Sequence, residues 1–317
     1  MISLASCYRT VIPAPVRAPV WYARRSLGLA LRKHLVGLRC DEEEALRRAA
    51  ASFRLSVGLP VAKIRADGFA FRVDLRDQGI GRPLYLTRSY EPSETALLRR
   101  LLGPGMVFVD VGANIGYYAV LAGHRVGPTG KVLAVEPDPH NFRLLRRNIA
   151  ANALGNVQAV RAALGDRDGV ALLRCSSTNF GDHRIGCSAD PNHATARPVE
   201  LTTFDKLVDR VGLGSIDVVK MDVQGYEHHV VAGMAGALAA NRRIRILTEF
   251  WPHGIRCAGG DPEQFFGLFT RAGFRAAVVT ADGPGVPVGY ADVLKRLPPF
   301  DPEHPDRSYI NILFYRA

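Results

Sequence analysis

The spacing of apolar residues divides this chain into three stretches. Between Trp21 and Leu38, apolar residues fall at Trp21, Leu27, Leu31, Leu35 and Leu38 beside Arg24, Arg25, Arg32 and Lys33, which predicts a basic amphipathic helix. From Val61 to Tyr90 the pattern shortens. Phe69, Phe71, Val73 and Leu75 alternate with Ala70, Arg72 and Asp74 as in a half-buried strand, and Leu84-Tyr85-Leu86, after a Gly-Arg-Pro turn, reads as another β run. A helix is expected near Pro92–Leu102, with Ser93 as its N-cap. From Met106 onward, strand-like runs at Val107–Val111, Val132–Val135, Val157–Val160, Asp217–Met221, Ile244–Phe250 and Ala276–Thr280 alternate with helical patterns at Tyr117–His124, Pro139–Asn152, Phe204–Val211, Gly225–Ala240 and Asp261–Ala272. That alternation predicts an α/β fold, a doubly wound and mostly parallel sheet with helices on both faces. A seventh run, Tyr309–Tyr315, follows a Pro/Gly-rich loop rather than a helix and is expected to be antiparallel. The expected organisation is a basic N-terminal extension over 1–60, a small β/α cap over 61–104 and a main domain over 105–317.

Composition narrows the class. A chain of 317 residues buries roughly three quarters of the surface it exposes when unfolded, and 47% apolar with 22% charged residues argues against a largely disordered chain. No uncharged apolar run approaches the roughly 18 residues that span a bilayer. The cysteines, Cys7, Cys40, Cys175, Cys187 and Cys257, are odd in number and form no C-x-x-C pair. They give neither a disulfide framework nor a zinc ribbon, and point to a reducing, cytoplasmic compartment. Net charge is +11, but Arg9, Arg17, Arg24, Arg25, Arg32, Lys33 and Arg39 stand in the first 40 residues without one acid, so the body is nearly balanced. Arginines and prolines interrupt every candidate signal-peptide core. The extension suits peripheral contact with the anionic inner face of a membrane, where each cation contributes on the order of 1 kcal/mol, or an ordinary helix packing its leucines on the domain.

The most informative stretch is Val107-Phe-Val-Asp-Val-Gly-Ala-Asn-Ile-Gly116. A buried strand ends in Asp110, turns through Gly112 and Gly116, and opens a helix at Tyr117. Twenty residues after Gly116 a second strand ends in Glu136, the distance expected of a carboxylate that accepts both hydroxyls of a ribose. A dinucleotide fold normally shows G-x-G-x-x-G and rests a pyrophosphate on the helix N-terminus. Here an acid precedes the first glycine. It would repel phosphate and suits a cofactor bearing an ammonium and a sulfonium, so the charge logic favours S-adenosylmethionine over NAD.

The sequence at this point resembles the FkbM family of class I S-adenosylmethionine-dependent methyltransferases. The resemblance rests on Val73-Asp-Leu-Arg-Asp77, Tyr90-Glu-Pro-Ser-Glu94, Phe108-Val-Asp-Val-Gly-Ala-Asn-Ile-Gly-Tyr117, Val135-Glu-Pro137, Ala163-Leu-Gly-Asp166, Thr202-Thr-Phe-Asp205 and Asp217-Val-Val-Lys-Met-Asp-Val-Gln-Gly-Tyr-Glu227, in that order over roughly residues 70–280. Gln224 stands where the family often has glutamate. The resemblance implies a Rossmann-like sheet of seven strands whose last is antiparallel. It implies that Asp110 and Gly112 border the methionine part of the cofactor, that Ala113, Asn114 and Gly116 lie along the same loop, that Glu136 holds the ribose, and that Asp166 contacts the adenine amine. It also implies O-methylation of a sugar, glycolipid or polyketide, the acceptor being a small molecule or a lipid-linked glycan.

Asp222 is the first choice near the transferred methyl. It ends the fourth strand beside the switch point where open α/β sheets bind ligands, and Lys220 lies on the same strand face to pair with it. Glu249 and His253 surround the end of the fifth strand. A histidine there suits a general base, as does Asp222. Glu227 opens the following helix, where an acid also suits the dipole. The polar segment Arg174–Pro198 is expected to flap over the acceptor site. Its His183 and His193, with Asp182 and Asp190, match no usual ligand spacing, so no metal is expected. An NAD(P)-dependent oxidoreductase, a nucleic-acid methyltransferase and a non-catalytic cofactor-binding fold are the rivals. The nucleic-acid reading lacks both a basic body and an Asn/Asp-Pro-Pro-aromatic loop, since the position after the fourth strand reads Asp222-Val-Gln-Gly.

Overall fold

The computed structural model describes residues 40–186, 193, 195–302 and 307–316. The helix expected over Trp21–Leu38, and with it the basic residues 1–39, lies outside the described residues, as do Cys187 and Asp190. In chain order, α1 (Cys40–Ser56) is followed by a hairpin of β1 (Val61–Ala66) and β2 (Phe69–Asp74), then by α2 (Gly81–Thr87) and α3 (Pro92–Leu101). Next come β3 (Val107–Val111), α4 (Tyr117–Val126), β4 (Lys131–Val135), α5 (Pro139–Ala151) and β5 (Val157–Val160). The strands β6 (Ala163–Gly165), β7 (Gly169–Cys175), β8 (Arg184–Ile185) and β9 (Thr195–Thr203) precede α6 (Phe204–Arg210) and β10 (Val218–Met221). The chain closes with α7 (Glu227–Ala232), α8 (Ala235–Ala240), β11 (Arg245–Phe250), α9 (Pro252–Cys257), α10 (Pro262–Arg271), β12 (Arg275–Thr280), β13 (Gly283–Val288), α11 (Tyr290–Arg296) and β14 (Ile310–Tyr315).

Among the described residues the main sheet has the order β13-β12-β14-β11-β10-β3-β4-β5. The pairs from β11 through β5 are parallel, and β14 is antiparallel to both of its neighbours, β11 and β12, as expected of the last strand. The sheet therefore has eight strands rather than seven. The addition is β13, which pairs antiparallel with the edge of β12 across a β-bulge. Its sequence, Gly-Pro-Gly-Val-Pro-Val, has no alternation to read, and its two prolines are tolerated because an edge strand need not donate on both sides.

Alternate residues of each strand feed two cores. Val109, Val111, Leu133, Val135, Val219, Met221 and Ile246 face the side covered by α6, α7, α8 and α10, where Tyr226, Val230, Phe265 and Phe269 join them. Phe108, Val132, Ala134, Val218, Leu247 and Leu313 face the other side with α3, α4 and α5. The second core also contains Phe71, Val73, Leu84 and Leu97, so the cap over 61–104 is fused to the sheet through shared side chains. A separate small sheet, β6-β9-β7-β8, stands beside the main one.

Three local expectations differ from the structure. Leu84-Tyr85-Leu86 lies in α2, not in a strand. Three consecutive apolar residues carry no period, and all three are buried, which a short helix wedged under the cap achieves as well as a strand. The N-cap position of α3 is Glu91, in the left-handed region at φ 39°, rather than Ser93, which sits inside the helix. The helix expected over Gly225–Ala240 is two, α7 and α8, broken at Gly233. A Cβ on Gly233 would meet the Gly165 carbonyl oxygen at 1.9 Å, so the chain passes too close to β6 for an uninterrupted helix.

The two central strands, β3 and β10, are held tip to tip. The Asp222 N–H donates to the Val111 carbonyl at 3.0 Å, while the Gly112 and Ala113 N–H groups both donate to Val135 at 3.0 and 2.9 Å. Gly112 has φ +79°, and a Cβ there would lie 1.9 Å from the Asp222 carbonyl oxygen. Gly112→Ala therefore combines a left-handed backbone with a backbone collision. It is expected to destabilise the fold by about 2 kcal/mol or more in denaturant unfolding. Gly155→Ala, where nothing lies within 4 Å, is expected to stay within about 0.5 kcal/mol of the parent.

Candidate active site

After β3 the chain moves to β4 on one side, and after β10 to β11 on the other. The carboxyl ends of β3 and β10 therefore open a cleft at the point where the strand order reverses. Two cavities meet there, sharing Gly112, Asn114, Asp222 and Gln224 in their walls. The larger, about 350 Å³, is lined by Tyr90, Glu91, Tyr118, Lys220, Glu249 and Tyr309 among others. The smaller, about 50 Å³, is bounded by Glu136, Asn141, Ala162, Leu164, Phe180 and His183.

Glu136 ends β4 with its side chain in the wall of the smaller cavity. One oxygen accepts the Asn114 N–H and the other the Asp138 N–H, both at 2.8 Å. Each oxygen keeps a lone pair for a ligand, and two oxygens at a fixed spacing suit vicinal hydroxyls. Burial pushes the carboxyl up to about 8 in spite of these two donors. Asn114, at φ 49°, turns the loop so that its own N–H reaches Glu136 while its side-chain amide donates to the Phe180 carbonyl at 3.0 Å. Gly116, at φ +85°, lets the loop close on α5, since a Cβ there would sit 2.5 Å from Leu145 Cδ1.

The larger cavity is dominated by carboxylates around one lysine. Lys220 Nζ lies 3.0 Å from Asp222 Oδ2 and 4.9 Å from the centre of the Tyr118 ring. Gln224 donates its amide to Asp222 Oδ1 at 2.7 Å and approaches Glu249 at 3.4 Å. Tyr118 donates to Glu91 at 2.6 Å. Burial is the first cause that raises the Glu249 carboxyl well above the ordinary range, with the negative charges of Asp222, Glu227 and Glu91 adding to it. Glu91 is raised by burial against the pull of Lys220.

Asp110 occupies a different place from the one its position suggests. Its side chain is buried on the Phe108 face of β3, in register with Lys220, and lines neither cavity. Neither oxygen has a hydrogen bond of ordinary geometry. Burial pushes this carboxyl up to about 7, opposed chiefly by the Lys220 charge. Asp110 thus acts on the cleft from behind, through Lys220, whereas Glu136 faces it directly.

Of the other sequence candidates, Gly112, Ala113, Asn114, Asp222 and Glu249 line the cleft. Asp166 does not. Its carboxylate lies 3.2 Å from Arg167 and 3.3 Å from His229, and the cavity wall nearest to it in sequence is Ala162–Leu164. His253 also lies off both cavities, in α9, with Nε2 3.4 Å from Cys257 Sγ and its ring against Trp251 and Phe300. Glu227 is fully buried beneath the cleft and accepts the Val223 N–H at 2.9 Å. From the polar segment Arg174–Pro198, expected over the acceptor site, Phe180, Gly181, His183 and Ile185 line the smaller cavity and Asn179, Gly181 and Asp182 the larger. Sequence reasoning missed Glu91, Tyr118, Tyr309, Phe180 and Asn141. The Tyr90-Glu-Pro-Ser-Glu94 block carried the signal for Glu91 alone.

Among the described residues two groups bring together side chains of metal-ligating type. Asp138, Cys175 and His183 offer ligand atoms within 4.8 Å of one another, as do Asp222, Glu227 and Glu249. In the first group His183 Nδ1 accepts the Ser176 N–H at 3.1 Å, which leaves the proton on Nε2, and Asp138 is 3.3 Å from Arg197. In the second, Lys220 and Gln224 already supply the donors that Asp222 faces.

The described residues thus form a doubly wound, mostly parallel sheet with Glu136 following its second strand, a glycine turn after its first and an acid-rich cleft at the switch point. The chain belongs to the methyltransferase FkbM domain family, which matches residues 110–276, just over half of its length. It is 29% identical over 167 residues to the hexuronic acid methyltransferase AglP of Haloferax volcanii, covering 52% of this chain and 62% of that protein. It is 30% identical over 161 residues to the 2-O-methyltransferase NoeI of Sinorhizobium fredii (46% and 64%). The 31-O-demethyl-FK506 methyltransferase FkbM of Streptomyces tacrolimicus is 27% identical over 163 residues (43% and 62%). The chain thus spans less than two thirds of the length of each of these relatives.

The buried acids give a test of the electrostatics. Asp110 titrates at about 7 in the folded chain against 3.8 when unperturbed. Its folded state keeps a proton that the unfolded chain has lost, so its contribution to stability is full below the lower value and disappears as the pH rises through the upper one. Asp110→Asn cannot titrate. Its melting temperature relative to the parent, measured without ligand, is expected to rise between about pH 4 and pH 7 and to level off above that. A flat difference across that range would contradict the burial argument.

Proposed function

We propose that this chain is an S-adenosylmethionine-dependent O-methyltransferase acting on a hydroxyl of a sugar, glycolipid or polyketide-type acceptor. The observation that carries the reading is the meeting, in one cleft, of Glu136 with a larger cavity in which Glu91, Asp222 and Glu249 surround Lys220. The residues fit the cofactor. Glu136 has acceptor capacity for a ribose, and the carboxylates outnumber the single ammonium, which suits a ligand bearing positive sulfur and nitrogen and opposes a pyrophosphate. Glu136, Asn114 and Gly112 would hold the nucleoside side, and Asp222 with Glu91 the positive end. Family membership and relatives whose names describe O-methylation support the same class.

When bound, S-adenosylmethionine supplies a methyl group already attached to a cationic sulfur. The chain's own tasks are then to hold the acceptor oxygen in line and to receive its proton, as the new C–O bond forms and the C–S bond breaks. Alignment alone is worth roughly 7–11 kcal/mol when the geometry is good. Asp222 is placed for the proton, since it faces both cavities and its orientation is fixed by Lys220 and Gln224. Glu249, whose buried, acid-crowded position favours its neutral form, would orient the acceptor by hydrogen bonding. The seven cations within residues 1–40 favour an acceptor presented at an anionic membrane surface. Loss of vesicle binding on removal of residues 1–39 is the measurement for that part.

The reading is tested by calorimetry and by turnover. S-adenosylhomocysteine is expected to bind and NAD not to, with Glu136→Ala weakening the former by about ten-fold or more. With a methyl acceptor in hand, Asp222→Asn is expected to lower kcat by about 10²–10⁴-fold. Glu249→Gln, which keeps a donor, is expected to cost less than about ten-fold, and His253→Ala to leave kcat unchanged. If His253→Ala and Asp222→Asn exchanged places in that order, the assignment of the base would be wrong.

A further inference from the structure

Asp77 is 1% exposed and lines neither cavity. One of its oxygens accepts the N–H groups of Gly79 at 3.0 Å and Phe180 at 2.9 Å, and the other those of Gly81 at 2.7 Å and Ile80 at 3.3 Å. Three of these donors belong to the turn that opens α2. The fourth lies 103 residues further along the chain, in the segment over the smaller cavity. Beside it, the Gln78 N–H donates to the Thr178 carbonyl at 2.7 Å. Gly79 touches the same segment so closely that a Cβ would stand 1.8 Å from Asn179 Oδ1.

The opposite side of the Phe180 residue is held by the cleft itself. Its carbonyl accepts the side-chain amides of Asn114 at 3.0 Å and Asn141 at 2.8 Å. Residue 180 is thus suspended between the cap and the glycine loop, with its ring in the wall of the smaller cavity. That cavity measures about 50 Å³, well under the roughly 300–1,000 Å³ usual for ligand sites. Val111 and Val135, on the sheet side, are 1% exposed and locked in the core, whereas residues 177–183 are all partly or wholly exposed. The Phe180 segment is the less firmly packed wall, and Asp77 ties it to the cap.

We propose that Asp77 is a positioning residue for the nucleoside: its carboxylate latches the 176–186 segment to the cap and sets Phe180 over the ligand. The identity of the ligand rests on the function proposed above; the latch does not. The purely local alternative is that Asp77 only caps the turn before α2, for which its three neighbouring donors suffice.

Hydrogen exchange and calorimetry on the full chain separate these roles. Without ligand, Asp77→Asn is expected to speed exchange across 176–186 as well as 79–84, and Asp77→Ala to do so more strongly. Gly79→Ala, which pushes on Asn179 and leaves the carboxylate in place, is expected to loosen 176–186 selectively. The dissociation constant for S-adenosylhomocysteine is expected to rise by about ten-fold in folded Asp77→Asn, because the closed segment is a smaller fraction of the population. Exchange faster only at 79–84, or an affinity within about two-fold of the parent, overturns the latch. If the parent chain bound no S-adenosylhomocysteine, the methyl-donor reading would fall, and the exchange pattern would still decide for or against Asp77.

Discussion

The contact on which this molecule depends is the approach of two strand tips, β3 and β10, to within a distance that leaves no room for a side chain at residue 112. Everything in the cleft is measured from that point. The turn through Gly112 sends the Asn114 N–H to Glu136, and the hydrogen bond from Asp222 to Val111 fixes where the acid of β10 emerges. Because the tips are parallel and their connections diverge, the gap between them is bounded by main chain on both sides. A few tenths of an ångström at this contact would move both walls of the site together.

Charge is the second organising feature. Lys220 is 7% exposed and sits among Asp110, Asp222 and Glu91, which the low-dielectric interior makes mutually dependent. Asp110 and Glu91 are pushed toward their neutral forms, chiefly by burial, while the lysine is held charged. Removing Asp110 changes what Lys220 leaves over for Asp222.

Much of this was legible in the sequence, and the limits have physical reasons. The parallel strands read clearly because both of their faces are buried, which turns each into a continuous apolar run between helical patterns. The glycine turn and Glu136 were legible because backbone geometry constrains them to one spacing. The strand β13 was not, since an edge built of glycine and proline has no pattern. Asp166 and His253 stand apart from both cavities for a different reason. Both follow strand ends, as site residues do, but which way a side chain leaves a loop depends on partners such as His229 and Cys257 that spacing does not encode. Phe180 was invisible because its role comes from Asp77, far away in the chain, rather than from its own neighbours.

The place of β14 has a consequence for how the chain comes to be folded. Of the described strands this is the last to be made, yet it lies inside the sheet, between β11 and β12. During synthesis the growing chain can assemble β3, β4, β5, β10 and β11, but β12 has no permanent neighbour on its inner side until residues 310–315 have emerged. Nascent or truncated forms are therefore the ones that invite edge-to-edge association, and the final wedge is what seals the molecule against it.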